Sequence, residues 1–225
     1  MYRKPLSILI AGLLLASCTI VSAQSPSSQT ARDLMKSAVG DWIGTCDQTT
    51  DGDETESKYF HAKVRQTDEC AFRTEFGYYR ADPGTGAPVR AGSATMISTI
   101  RPDGTVKNSV TGEGSMYVFD QLKPQKHEYA EEIRPTAEGT MEGSGSGTLR
   151  VEGMPLGLGK KGKIRDAKTF WSVKNGVLAI RQTLKATFKA LIFSKSFRFE
   201  AQYTAKRGSD VASLITKGPK VARKP

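Results

Sequence analysis

Between Trp42 and Ala205, apolar side chains return at every second position in one stretch after another, and that spacing leaves few folds open. Alternation of this kind marks a strand with one face buried and one in water. The cleanest case is Phe197, Phe199, Ala201, Tyr203 and Ala205, set against Arg198, Glu200, Gln202 and Thr204. Residues 69–79 put Cys70, Phe72, Thr74, Phe76 and Tyr78 on one face and Glu69, Arg73 and Glu75 on the other. Phe60, Ala62 and Val64 repeat the pattern, as do Leu178, Ile180, Leu184, Ala186 and Phe188. Extended character also runs through 89–100, 106–111, 115–122, 126–134, 139–151 and 163–173, with a turn expected around Pro124. Turn chemistry separates these runs: a Gly- and Pro-dense loop at 82–88, Pro102-Asp103-Gly104, and Asn175-Gly176. About ten strands at short spacing with almost no helical periodicity predict an antiparallel sheet, closed on itself or folded as a sandwich. Closure removes the exposed edges of a long meander.

One strand is unusual. Met141, Gly143, Gly145, Gly147, Leu149 and Val151 share a face, so glycine strips that face alone of side chains. Either the strand bends sharply at a barrel corner, or another group packs against its backbone, or the stretch is a low-complexity linker.

The first residues are an export signal. Arg3 and Lys4 precede an apolar run from Leu6 to Leu15, too short to span a bilayer, which takes about 20 residues. Two processing sites compete. Val21-Ser22-Ala23 fits cleavage before Gln24, giving a leader over 1–23; Leu15-Ala16-Ser17-Cys18 fits a lipobox, giving a leader over 1–17 and a lipidated Cys18. Both place the mature protein outside the cytoplasm, in the periplasm or beyond, the second as a membrane-anchored lipoprotein. Residues 24–30 form a polar tether expected to be disordered, 31–207 the β domain, and 208–225 a basic disordered tail.

The formal charge is +10. The excess gathers late, in Lys160, Lys161, Lys163, Arg165 and Lys168 and then from Lys185 to Lys224. It suits contact with an anionic membrane surface or a glycan, and it also serves simple solubility. Cys46 and Cys70 are the cysteines left in the β domain, and in an oxidising compartment they are expected to pair. That expectation conflicts with a plain meander, which sets the two near opposite ends of the sheet. Favouring the pair makes residues 48–58 a long excursion in place of a tight hairpin.

A short helical turn, then Gly40-Asp41-Trp42 opening the first strand, resembles the G-x-W start of lipocalins and the wider calycin group. The resemblance rests on Gly40 and Trp42. It implies an up-and-down barrel of about 8–10 strands with a short N-terminal helix and a tryptophan plugging one end. A basic residue from the last strand or just after it would cover the indole, and Arg198 and Arg207 both qualify.

No catalytic or metal signature is present. His61 and His127 lack partners at metal spacing, the acids between Asp47 and Glu56 lack EF-hand order, and no cofactor is implied. Gly157 to Gly162 matches G-x-G-x-x-G, but a strand-like run follows it where a phosphate loop needs a helix. Lys160, Lys161, Lys163 and Arg165 therefore read as a basic loop for an anion, not for a nucleotide, and no nucleic-acid partner is expected. Leu191, Ile192 and Phe193 between Lys189 and Lys195 read as an apolar lip, at a membrane or a cavity mouth, or as packing at a strand end. Two functional expectations result. One is a container for a small apolar or amphipathic ligand lined by Phe72, Phe76, Met141, Trp171, Leu184, Phe199 and Tyr203. The other is a non-enzymatic envelope protein that meets anionic surfaces through basic loops.

Overall fold

Ala31, Leu34, Met35 and Ala38 recur at i, i+3, i+4 and i+7, the stripe of an amphipathic helix. They form the inner face of α1 (Pro26–Ala38). A computed structural model of the chain describes residues 26–51, 55–118, 121–136, 140–154 and 158–217. After α1 come β1 (Gly40–Thr50), β2 (Thr55–Asp68), β3 (Ala71–Ala81), β4 (Pro88–Ile100) and β5 (Val106–Val118). Then follow β6 (Gln121–Pro135), β7 (Thr140–Val151), β8 (Lys161–Lys174), β9 (Val177–Lys189), β10 (Ser194–Arg207) and a short α2 (Ala212–Lys217).

Each strand pairs antiparallel with the next, and β1 pairs with β10, so the sheet closes into a ten-stranded up-and-down barrel. The alternation read from the sequence sorts the wall: the set running from Phe197 to Ala205 faces inward. α1 closes the end at which β1 starts. Trp42 is fully buried there and donates from Nε1 to the Ala38 carbonyl at 2.7 Å. The guanidinium of Arg207 lies 3.9 Å from the indole centroid and donates to the carbonyls of Ser37, in the last turn of α1, and of Val39 just past it. The basic cover of the indole is therefore Arg207. Arg198, the other candidate, sits on the outer wall far up β10 and pairs with Glu200. Gly40 is required at its position: its φ is +133°, and a Cβ there would run into the Arg207 guanidinium.

The expected disulfide is not formed. Cys46 and Cys70 are both free. β1 and β2 stay in register from Gly40 opposite Val64 to Thr49 opposite Thr55, so no long excursion intervenes. Cys46 lies opposite Lys58, whereas Cys70 lies in the turn that follows Asp68. The stretch of β2 between those levels spans roughly 30 Å, against the ~7 Å that a disulfide allows. The tight meander decides the matter. Burial pushes the Cys46 thiol up to about 12, so it stays protonated, while Cys70 Sγ accepts from Arg32 at 3.3 Å.

Three boundaries differ from expectation. α1 begins at Pro26, inside the stretch read as tether, and α2 lies within the stretch read as tail, with Val211 buried ahead of it. Pro124 makes no turn; it sits within β6, opposite Ser115. Its own carbonyl accepts from the Glu152 amide, so its missing N–H faces the side on which β7 has already ended at Val151. The stretch expected to be a leader, Cys18 included, lies outside the described residues.

The glycine-cleared face resolves as the second of its three alternatives, a close approach of another backbone. A Cβ on Gly143 would fall 2.6 Å from the Ile133 Cα, and one on Gly145 2.8 Å from the Glu131 Cα. β7 therefore folds in against the backbone of β6, and across the same stretch the β7–β8 register shifts, with Asp166 at φ 55°.

Candidate functional site: the barrel interior

The wall encloses a cavity of about 130 Å³. Its floor is set by α1 through Met35, and its sides by inward residues of every strand but none from the exterior loops at 81–87 or 189–193. Of the residues expected to line it, Phe76, Met141, Trp171, Leu184, Phe199 and Tyr203 do. Phe72 does not: it is fully buried in the packed layer beside α1. Met96, Val110, Met116, Leu149, Ile164 and Ile180 add to the apolar part.

The polar part escaped the sequence reading. On β6 the inward positions are Gln125, His127, Tyr129, Glu131 and Ile133. Glu131 is almost completely buried. It accepts from Asn108 Nδ2 at 2.9 Å and from Thr169 Oγ1 at 2.5 Å, and burial lifts its carboxyl above the usual range. Gln182 donates to the Tyr129 hydroxyl at 2.6 Å. Among the described residues, the buried Asn108 Oδ1 has no hydrogen-bond partner. Across the cavity, Tyr78 and Tyr203 face each other with hydroxyls 3.5 Å apart, both phenols pushed up by burial. Lys58 reaches in from β2, held by Glu56 at 3.0 Å, Gln48 at 2.9 Å and the Ser115 carbonyl at 3.0 Å. Burial lowers its pKa against the pull of Glu56.

His127 Nδ1 lies 3.1 Å from Gln125 Oε1, and its ring packs against Tyr129. Burial drops its pKa to about 4, so it is neutral at physiological pH. An unfolded histidine titrates near ~6.5. Between those values the unfolded chain holds a proton that the folded chain refuses. Stability from this residue is thus complete above about pH 6.5, lost as pH falls, and flat below about 4. Glu131 works in the opposite sense, so the histidine is isolated by comparison with His127→Gln. Urea melts should show wild type losing on the order of 2–3 kcal/mol relative to the variant between pH 6.5 and 4. Parallel pH profiles would remove His127 from the buried set.

The remaining predicted residues lie elsewhere. Lys160, Lys161, Lys163 and Arg165 are all exposed at the start of β8, with Lys160 paired to Glu152 at 3.1 Å. His61 joins Asp41 and Arg65 on the outer wall, at 2.9 Å and 2.6 Å from the carboxylate, a trio that ties β1 to β2. The Arg65 hydrogen bond is the main reason the Asp41 pKa is lowered. Among the described residues no group of three His, Cys, Asp or Glu could hold a metal ion, and no helix is long and apolar enough to cross a membrane.

No family model matches the chain, and no curated protein does. Among solved structures, that of Rv2717c from M. tuberculosis aligns with a TM-score of 0.45 at 9% identity, covering 82% of this chain and 99% of that one.

Proposed function

We propose that the protein is a calycin-like container, working outside the cytoplasm, that holds a small, uncharged, amphipathic molecule in the barrel interior. The observation that carries this reading is the cavity itself, together with its two-sided lining. An apolar wall of methionine, leucine and aromatic side chains meets a polar wall built on Asn108, Glu131, Thr169 and Tyr129. That mixture is typical of ligand sites, in which apolar contact supplies affinity and a few polar groups set orientation. A neutral His127 and a carboxyl biased toward its protonated form favour an uncharged guest. Asn108 Oδ1, without a partner among the described residues, favours one that brings a hydroxyl or amide N–H. Native mass spectrometry of the protein taken from its producing cell should show a non-covalent adduct released by organic solvent. Leu184→Trp, which fills the apolar side, should weaken uptake of an environment-sensitive apolar dye by roughly tenfold or more. A protein that carries no adduct and takes up the dye equally with and without the tryptophan would end this reading.

A further inference from the structure

The turn between β9 and β10 is anomalous. Leu191 and Ile192 are 104% and 93% exposed, and Phe193 is 44% exposed beside them. Scattered surface leucines are ordinary, but three large apolar residues in a row at the tip of a hairpin are not. Among the described residues none covers them: the Gly159 amide, after β7, donates to the Lys189 carbonyl at the base of this hairpin and leaves the tip in solvent.

What surrounds the tip is basic. Lys189 and Lys195 flank it, and both are exposed. Down the outer wall, one rung of the ladder places Arg165 opposite Lys185 and Lys185 opposite Arg198. Like charges directly opposed across strands cost stability. Arg198 is partly relieved by Glu200 at 2.8 Å, but Arg165 and Lys185 enter no ion pair among the described residues. Lys161 and Lys163, also without an ion pair there, continue the stripe toward the tip.

We propose that the β9–β10 tip docks on an anionic lipid bilayer. Leu191, Ile192 and Phe193 enter the headgroup boundary while the stripe from Arg165 to Lys189 lies against the phosphates. Apolar insertion and basic attraction are the two signals that together hold a peripheral protein on a membrane. A soluble polyanion could neutralise the stripe but gives the apolar tip nothing to bury in, so the membrane accounts for both features. The site is on the outside of the wall and does not depend on the interior being occupied.

The test uses vesicle co-sedimentation with the protein in the form its cell accumulates, so that every variant carries the same N-terminus. Mixed phosphatidylglycerol–phosphatidylcholine vesicles are compared with phosphatidylcholine alone, at low and high salt. Wild type should prefer the anionic vesicles and release as salt rises. Leu191→Ser with Ile192→Ser should bind roughly tenfold or more weakly, because each change removes apolar area whose burial favours the bound state. The same double variant should melt like wild type, since both side chains lie in solvent. Arg165→Gln with Lys185→Gln should lower affinity on anionic vesicles and leave neutral ones unchanged. Undiminished vesicle binding by the double serine variant would overturn the proposal, as would no vesicle binding by wild type. Heparin binding that equals vesicle binding and ignores the serine changes would also overturn it and assign the stripe to a glycan.

Discussion

Trp42→Ala is expected to destabilise the barrel by about 4 kcal/mol, within the range for removing a buried tryptophan. The substitution does more than open a void. It strands the Ala38 carbonyl, which accepts from the indole at 2.7 Å, and it takes the ring from beneath Arg207. Arg207 then has two carbonyls at the end of the helix segment, those of Ser37 and Val39, to hold but no apolar platform to hold them from. α1 should therefore loosen before the wall does. Hydrogen exchange ought to show amides of Arg32 to Ala38 losing protection first, with the urea midpoint dropping sharply. Arg207→Lys keeps the charge but lacks the flat fork, and should cost a smaller ~1–2 kcal/mol. A Trp42→Ala protein within 1.5 kcal/mol of wild type, with α1 protection intact, would show that the plug is held by something other than this stack.

The second large effect is expected from Gly143→Val. A Cβ at this position points at the Glu132 carbonyl and comes 2.6 Å from the Ile133 Cα. Both are backbone atoms, so no rotamer change relieves the clash; β7 must move away from β6, which breaks the ladder on which the cavity's polar wall stands. The cost should be about 3 kcal/mol or more, at the upper end for overpacking. Gly176→Ala is the control for generic glycine loss. A Cβ there meets nothing within 4 Å, and its φ of 72° should limit the cost to about 1 kcal/mol. Thermal melts on the two proteins separate the readings: equal losses would mean that chain entropy, not the close approach of two strands, explains the glycines.

The wall was readable because period two is a strong signal wherever one face is apolar. β10 and β3 announce themselves for that reason. β6 does not, because its inward face is Gln125, His127, Tyr129 and Glu131, and polarity on that face looks the same as exposure. The polar half of the cavity was hidden for the same physical reason that makes it interesting: it violates the rule used to find interiors. The choice between Arg198 and Arg207 needed the register, which sets Trp42 opposite Arg207 across the seam. The cysteines misled because compartment chemistry says that thiols pair, while only the hairpin geometry says whether they can meet. Parity alone puts Phe72 on the inner face; parity tells inside from outside, but not how far down the axis α1 fills the space.

The seam has a consequence for how the molecule comes into being. Thr45 pairs with Thr204, and Arg207, close to the end of the last strand, fastens the helix that precedes the first. A ribosome or a translocation channel releasing this chain from its N-terminus would deliver nine strands before any of them could be joined into a ring. Until the tenth arrives, β1 presents an unpaired border, and the hydrophobic lining has no lid. Ring closure should then be the slow event of folding, governed by the longest-range contact in the molecule. A chain nicked or truncated just before β10 would persist as an open, adhesive ribbon, not as a slightly smaller vessel.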